Sequence, residues 1–277
     1  MKPLKIDLKE HFDIVGSCPR CKEPLYAWKL RDGDYGVRRS LPACMNCHYG
    51  EMQKKEEYLI DTKHKESIKQ LHINYMKQSS IVTDIGTWEC TFDNYEPDNQ
   101  ETTIAKRKSI EFCRSYKQGN NKHLLLVGGV GVGKTHLAMS VLKEILEQSN
   151  YTKKCLFINY QELLNQLRYS MSDNQVKKLI VGGTMNEIKK ADVLVIDDVG
   201  SNLGQVGKVK KASDYDTEIM TSITEARQNM ATIYTTNLSS EQLKFSYGNR
   251  VLSRMLRNSK GYIVTFKETR DKRSMKK

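Results

Sequence analysis

The segment Gly128-Gly129-Val130-Gly131-Val132-Gly133-Lys134-Thr135 constrains the fold more than any other part of the chain. It follows the apolar run His123-Leu124-Leu125-Leu126-Val127, which has the pattern of a buried strand. It runs into His136-Leu137-Ala138-Met139-Ser140-Val141-Leu142, an evident helix. GxxxxGK[ST] between a strand and a helix is the context in which this motif cradles phosphate. Its glycines let backbone N–H groups turn toward phosphate oxygens, at a helix N-terminus that favours anions. Gly128, Gly129, Val130, Gly131, Val132, Gly133, Lys134, Thr135 and His136 are therefore the expected nucleotide-binding set. Lys134 is expected to neutralise the β- and γ-phosphates, and Thr135 to ligate Mg²⁺.

A second apolar run, Val193-Leu194-Val195-Ile196, ends in Asp197-Asp198. This reads as a Walker-B strand, which delivers carboxylates to its C-terminal edge opposite the phosphate loop. Asp197 is the expected Mg²⁺ partner. Asp198 is the expected group that orients and deprotonates the attacking water. A third run, Thr232-Ile233-Tyr234-Thr235-Thr236, ends in Asn237. An amide at that strand tip is placed to contact the γ-phosphate or the lytic water. Turn chemistry also explains it, because Ser239-Ser240-Glu241-Gln242 opens a helix as a capping box. Cys155-Leu156-Phe157-Ile158 is a fourth strand, and helices are expected over residues 161–168 and 214–228. Alternating strands and helices predict an α/β fold, a parallel sheet with the site along its C-terminal edge.

Four of the seven cysteines form Cys18-Pro19-Arg20-Cys21 and Cys44-Met45-Asn46-Cys47, two knuckles separated by 22 residues. Thiolates three positions apart on a tight turn can share one tetrahedral ion, and two such turns complete its shell. The intervening residues read as a hairpin with an Asp32-Gly33 turn between strands over 25–30 and 35–39. This predicts a small N-terminal zinc ribbon stapled by Zn²⁺. A reactive dithiol pair and replacement of one cysteine by His48 are the alternatives. Tyr26, Trp28, Tyr35, Arg31, Arg38 and Arg39 would suit base stacking or protein docking equally well. Cys90, Cys113 and Cys155 lack such spacing and read as buried thiols.

Residues 51–78 are highly charged with a thin apolar stripe, which predicts a helical linker outside the core. The expected organisation is a zinc ribbon over 1–50, a linker over 51–85, and an ATPase domain with a basic tail over 86–277. Lys and Arg total 45 against 33 Asp and Glu, a net charge of +12. Residues 240–277 alone carry 11 basic and 3 acidic groups, or +8 of that excess. Such an imbalance points to a polyanionic partner, nucleic acid first. No run approaches the ~18–20 apolar residues of a membrane span, and residues 1–7 carry no apolar signal core, so a cytoplasmic setting is expected.

Several motifs then occur in order: Trp88-Glu89-Cys90-Thr91-Phe92-Asp93-Asn94-Tyr95, the phosphate loop, Leu194-Val195-Ile196-Asp197-Asp198-Val199-Gly200, Thr235-Thr236-Asn237, and Gly248-Asn249-Arg250-Val251-Leu252-Ser253-Arg254-Met255. In this the chain resembles the DnaC/DnaI-type replicative helicase loaders, an AAA+ group that also contains the IstB transposition helpers. The resemblance covers about residues 85–270. It implies an AAA+ P-loop NTPase core whose nucleotide lies between subunits, with an arginine of one subunit completing the site of the next. Arg254 matches that finger, with Arg250 as supporting or alternative group. Arg270 matches the sensor-II region, although its spacing from Phe266 is one residue short. Many AAA+ proteins carry Glu where this chain has Asp198, which suits slow hydrolysis until partners order the site.

The resemblance implies an ATP-dependent loader that binds the hexameric replicative helicase and places it on single-stranded DNA, self-assembling through its ATP sites. Such a gene belongs to a bacterial cell or to a phage or other mobile element. Arg168, Lys177, Lys178, Lys189 and Lys190 are candidates for DNA contact. Two other readings stand beside it: an IstB-like transposition helper acting on duplex DNA, and a non-hydrolysing adaptor on single-stranded DNA.

Overall fold

The computed structural model describes residues 11–30, 41–169, 180–204 and 209–272. The Asp32-Gly33 turn, the strand expected at 35–39, Tyr35, Arg31, Arg38, Arg39, Lys177, Lys178 and the last five residues lie outside them. The chain divides into two compact units, Met1–Ser67 and Ile68–Lys277. That division falls inside one helix, whereas the sequence reading placed its boundaries at 50 and 85.

The first unit holds a three-stranded antiparallel sheet, β1 (Phe12–Ser17), β2 (Pro24–Trp28) and β3 (Ala43–Cys44), in that order. The Cys18 knuckle is the turn that joins β1 to β2, and Cys44 pairs with Leu25 across β2 and β3. Strand β1 was not anticipated. Ile14 and Val15 are exposed, so β1 carries no core-facing alternation that a pattern search could find.

Helix α1 (Tyr49–Ser79) is 31 residues long, as the charged stretch predicted. The reading that none of it enters a core is corrected: Met76 is 4% exposed within the main core, with Ile73 packed against it. Two apolar residues near the end of a long charged helix vanish when hydrophobicity is averaged over the whole stretch.

In the second unit, α2 (Gln100–Lys117) precedes β4 (His123–Gly128), α3 (Lys134–Gln148), β5 (Cys155–Asn159) and α4 (Tyr160–Tyr169). Then come α5 (Met185–Lys190), β6 (Val193–Val199), α6 (Asp214–Ala226), β7 (Ala231–Thr236), α7 (Ser240–Met255) and β8 (Ile263–Phe266). The five strands form one parallel sheet in the order β5-β6-β7-β4-β8. This is the expected α/β arrangement. Successive residues of a strand face opposite sides, and both sides are covered at β4, β5 and β6, which is why these strands read as unbroken apolar runs, whereas the edge strand β8 alternates exposed and buried residues. Leu124, Leu126, Val193 and Val195 pack with Leu137 of α3 and Phe112 of α2. Leu125, Leu156, Leu194 and Ile196 pack on the other side with Leu163 of α4 and Met220 of α6.

Helix α2 also escaped the sequence reading. Its signals were present: Ala105, Ser109, Phe112 and Cys113 form one buried face, and Asn99 caps the helix in a reciprocal box with Thr102. Arg227, at the C-cap of α6, is fully buried. It donates to Ala191 O and Ala231 O at 2.7 Å each and to Thr232 Oγ1 at 2.9 Å, and burial pushes its guanidinium down to about 10. One charge of the basic excess is thus an internal pin between the end of α5 and β7. Among the described residues no helix is long and apolar enough to cross a membrane.

Candidate functional site

The sheet delivers its polar residues to one edge, where β4, β6 and β7 end side by side. Gly133 is the N-cap of α3, with φ +95°, and Gly131 has φ +74°. Both lie in the left-handed region that glycine alone enters without strain. Space excludes side chains as well, because a Cβ on Gly133 would meet the Tyr95 ring at 2.9 Å.

Lys134 Nζ donates to Gly128 O at 2.8 Å, Gly129 O at 2.6 Å and Asn237 Oδ1 at 2.7 Å. The expected phosphate-binding lysine and the expected strand-tip amide are therefore in direct contact. Thr135 Oγ1 lies 3.1 Å from both carboxylate oxygens of Asp197. A hydroxyl beside a buried carboxylate is a set of hard oxygen donors, which fits Mg²⁺.

The pairing of β6 with β7 shifts register between Ile196 and Val199, and Asp198 has φ +58°. The shift takes the Asp198 N–H out of the ladder, and Thr235 Oγ1 accepts it at 2.9 Å. The same hydroxyl donates to Asp197 Oδ1 at 2.6 Å. Thr235 thus holds both Walker-B aspartates in place, a role the sequence reading missed because it saw only a strand residue. Asp197 is 3% exposed. Burial first, and the neighbouring Asp198 second, push its carboxyl up to about 7 against the bonds from Thr235 and Thr135.

His136 does not turn its side chain toward the phosphate loop. Its Nε2 lies 2.9 Å from Thr91 O and its ring stands edge-on to Tyr95 at 5.1 Å, so it ties residues 91–95 to α3. Burial lowers its pKa.

Arg254 and Arg250 are held apart from this cluster, on the carboxylate of Glu225 in α6. Gly248 breaks α7 with φ 84° and ψ 168°, which sets the direction of the turn that carries both arginines. Arg270 is exposed, in the segment after β8. Of the candidate DNA contacts, Arg168 and Lys190 are exposed and Lys189 is half-buried.

In the first unit the sulfurs of Cys18, Cys21, Cys44 and Cys47 all lie within 4.8 Å of one another. Three of the pairs are separated by 3.4 to 3.5 Å, near the ~3.8 Å edge of a tetrahedron with zinc–sulfur bonds of about 2.3 Å. The two knuckles are alike. Lys22 and His48, each next after the second cysteine, have φ 66° and 55°, and each donates its N–H to the carbonyl of the first cysteine at 2.9 Å. The Cys47 N–H is the main cause that holds the Cys44 thiol below its ordinary pKa. His48 is exposed and stands outside the four-sulfur group among the described residues. Cys113 and Cys155 are buried as expected, and Cys90 is half-buried.

Comparison with known proteins agrees with this geometry. The family profile for the IstB-like ATP binding protein matches residues 52–260. The replicative helicase loader DnaC of Escherichia coli K12 is 25% identical over 168 residues, 60% of this chain and 62% of that protein. The replicative helicase loader DnaI of Bacillus subtilis 168 is 24% identical over 248 residues, 88% of this chain and 72% of that protein. The crystal structure of the DnaC helicase loader superposes with a TM-score of 0.55 at 26% identity, covering 66% of this chain and all of that one. The chain thus spans less than two thirds of the DnaC relative's length, and the shared fold is a P-loop AAA+ core.

Proposed function

The chain belongs to the IstB-like ATP-binding protein family, and from that premise we propose that it is an ATP-dependent loader of the replicative DNA helicase. It binds the hexameric helicase, places it on single-stranded DNA, and works in the bacterial cytoplasm. Support comes from the DnaC and DnaI likenesses. The single observation that carries the ATPase reading is the contact of Lys134 with Asn237 beside the Thr135–Asp197 pair.

Lys134 neutralises the β- and γ-phosphates, and Thr135 and Asp197 would hold Mg²⁺, which when bound would supply charge stabilisation for the phosphoryl group. Asp198 orients and deprotonates the water, and Asn237 positions it or the γ-phosphate. Arg254 of a neighbouring copy completes the site, with Arg250 beside it, and Arg270 reaches the nucleotide from its own chain. Cys18, Cys21, Cys44 and Cys47 hold a structural Zn²⁺, and this N-terminal module docks the helicase.

Native mass spectrometry with the replicative helicase of the same source, with and without ATP, tests this reading. The expected result is a defined complex that weakens when residues 1–80 are deleted. No complex, with ATP-dependent filaments on duplex DNA instead, would move the assignment to a transposition helper.

A further inference from the structure

The residues that follow β8 are fastened far more firmly than their exposed, charged sequence suggests. Glu101, in the first turn of α2, accepts the backbone N–H of Lys267 at 2.9 Å and of Thr269 at 3.0 Å. The Glu268 N–H is shared between its two oxygens at 3.2 and 3.1 Å. The Thr269 hydroxyl donates to Glu101 at 2.7 Å and accepts from Asn99 Nδ2 at 3.1 Å. Burial works against the Glu101 charge, but the Thr269 hydroxyl and these N–H groups outweigh it and hold the carboxyl below its ordinary range.

Farther along, the same segment meets the phosphate loop. Lys272 N–H donates to Gly131 O at 3.1 Å. The Lys272 ammonium donates to Glu96 O at 2.7 Å, pairs with Asp98 at 3.1 Å, and sits 5.1 Å over the Tyr95 ring. A Cβ on Gly131 would lie only 1.7 Å from Asp271 Oδ1, so loop and tail are shaped to each other at that glycine. Tyr95 in turn packs against Gly133. The loop is therefore supported on its outer side at two of its glycines by one connected set of residues.

A phosphate loop works by turning N–H groups inward, which turns carbonyls outward, and those carbonyls need donors of their own. Lys272 supplies one. A loop already held in shape loses less conformational freedom when phosphate arrives, and more of the contact energy remains for affinity. We propose that residues 267–272 form a brace that pre-shapes the phosphate loop, and that Glu101 is the positioning residue that holds the brace in place. This rests on the reading of the loop as an ATP site. It adds to that site a residue about 30 positions away in sequence that acts through Lys272. Arg270 rides on the clamped segment, so Glu101 also limits where that arginine can reach.

The test uses the full chain, a fluorescent ATP analogue, and hydrogen exchange of residues 128–135 in nucleotide-free protein. Glu101→Ala should weaken analogue binding about tenfold and raise exchange in the loop, with Glu101→Gln in between. Thr269→Val, which removes one hydroxyl, should weaken binding about twofold to threefold. A role confined to holding the fold together would lower the melting temperature yet leave loop exchange and affinity unchanged, and that result overturns the proposal. Unchanged affinity in both Glu101→Gln and Thr269→Val overturns it even where Glu101→Ala fails to fold. Lys134→Ala separates two failures. If it abolishes binding while the Glu101 variants bind normally, the brace is wrong and the ATP site stands. If the unaltered chain binds no analogue, the ATP reading falls and the brace falls with it.

Discussion

Arg254 donates through Nη2 to Glu225 Oε1 at 2.7 Å, and Arg250 reaches the same oxygen at 2.5 Å. The two arginines differ in setting. Arg250 is 72% exposed, whereas Arg254 is 17% exposed and its Nη1 is buried without a hydrogen-bond partner among the described residues. The more buried arginine thus has donor capacity to spare, and its pairing with Glu225 fixes its direction.

Arg254→Ala should leave ATP affinity nearly unchanged and lower the hydrolysis rate by about 10³-fold or more, because a finger acts on charge that develops in the transition state. Asp198→Asn should be equally inactive for a different reason, loss of the group that orients water. Mixing the two inactive proteins pairs an intact site on one with an intact finger on the other. Steady-state hydrolysis that returns in the mixture confirms action between subunits. A mixture as inactive as its parts shows that Arg254 serves only its own chain.

The contact of Lys134 with Asn237 separates binding from chemistry. Lys134→Ala removes the ammonium that reaches the Gly128 and Gly129 carbonyls and Asn237, and should abolish ATP binding in a calorimetric titration. Asn237→Ala leaves Lys134 on the Gly128 and Gly129 carbonyls. Affinity should stay within about threefold while turnover falls about 10- to 100-fold. Lost affinity with turnover unchanged would make Asn237 a binding residue.

What the sequence made legible follows from where chemistry forces a residue type. The strands β4 to β7, the phosphate loop, Asp197, Asp198 and Asn237 all stand out, because runs buried on both faces must end in polar groups at one edge. Thr235 did not stand out. Its importance comes from the register shift at Asp198, and a threonine in a strand is ordinary until that shift is seen. Glu225 and Glu101 were hidden for a similar reason. An acidic residue on a helix reads as a solvated surface group, and its partners lie about 25–170 residues away, beyond any local pattern. Strand β1 was hidden because Ile14 and Val15 are exposed, and its pairing with β2 leaves no alternating apolar face to read.

The cysteine cluster predicts selective loss. Strong chelation, or Cys44→Ser, should raise hydrogen exchange over residues 12–28 and 43–44 and leave the sheet of residues 123–266 protected. A structural zinc site contributes on the order of 10 kcal/mol of apparent binding energy, more than a three-stranded sheet of this size can replace. Measured metal content of about one zinc per chain should fall with the loss of protection. Protection that survives without metal would return the four thiols to a redox role.

Asp197 makes the stability of the nucleotide-free protein depend on pH in a direction opposite to that of an ion-paired carboxylate. Its folded carboxyl is pushed up to about 7, while the ordinary value is 3.8. Between those values the folded chain keeps a proton that the unfolded chain has lost, so stability falls as pH rises through this range and levels off above it. Asp197→Asn removes the buried charge. The variant should melt at a higher temperature than the unaltered protein at pH 8 and close to it near pH 4, with a difference of up to about 4 kcal/mol at the alkaline end. Mg²⁺ with ATP should reverse the order at pH 8, since the ionised carboxylate then gains a cation and the amide does not. Parallel melting curves for the two proteins across pH 4–8 would mean that Thr135, Thr235 and Lys134 already stabilise the ionised form, and the burial of Asp197 would then carry no cost for Mg²⁺ to relieve.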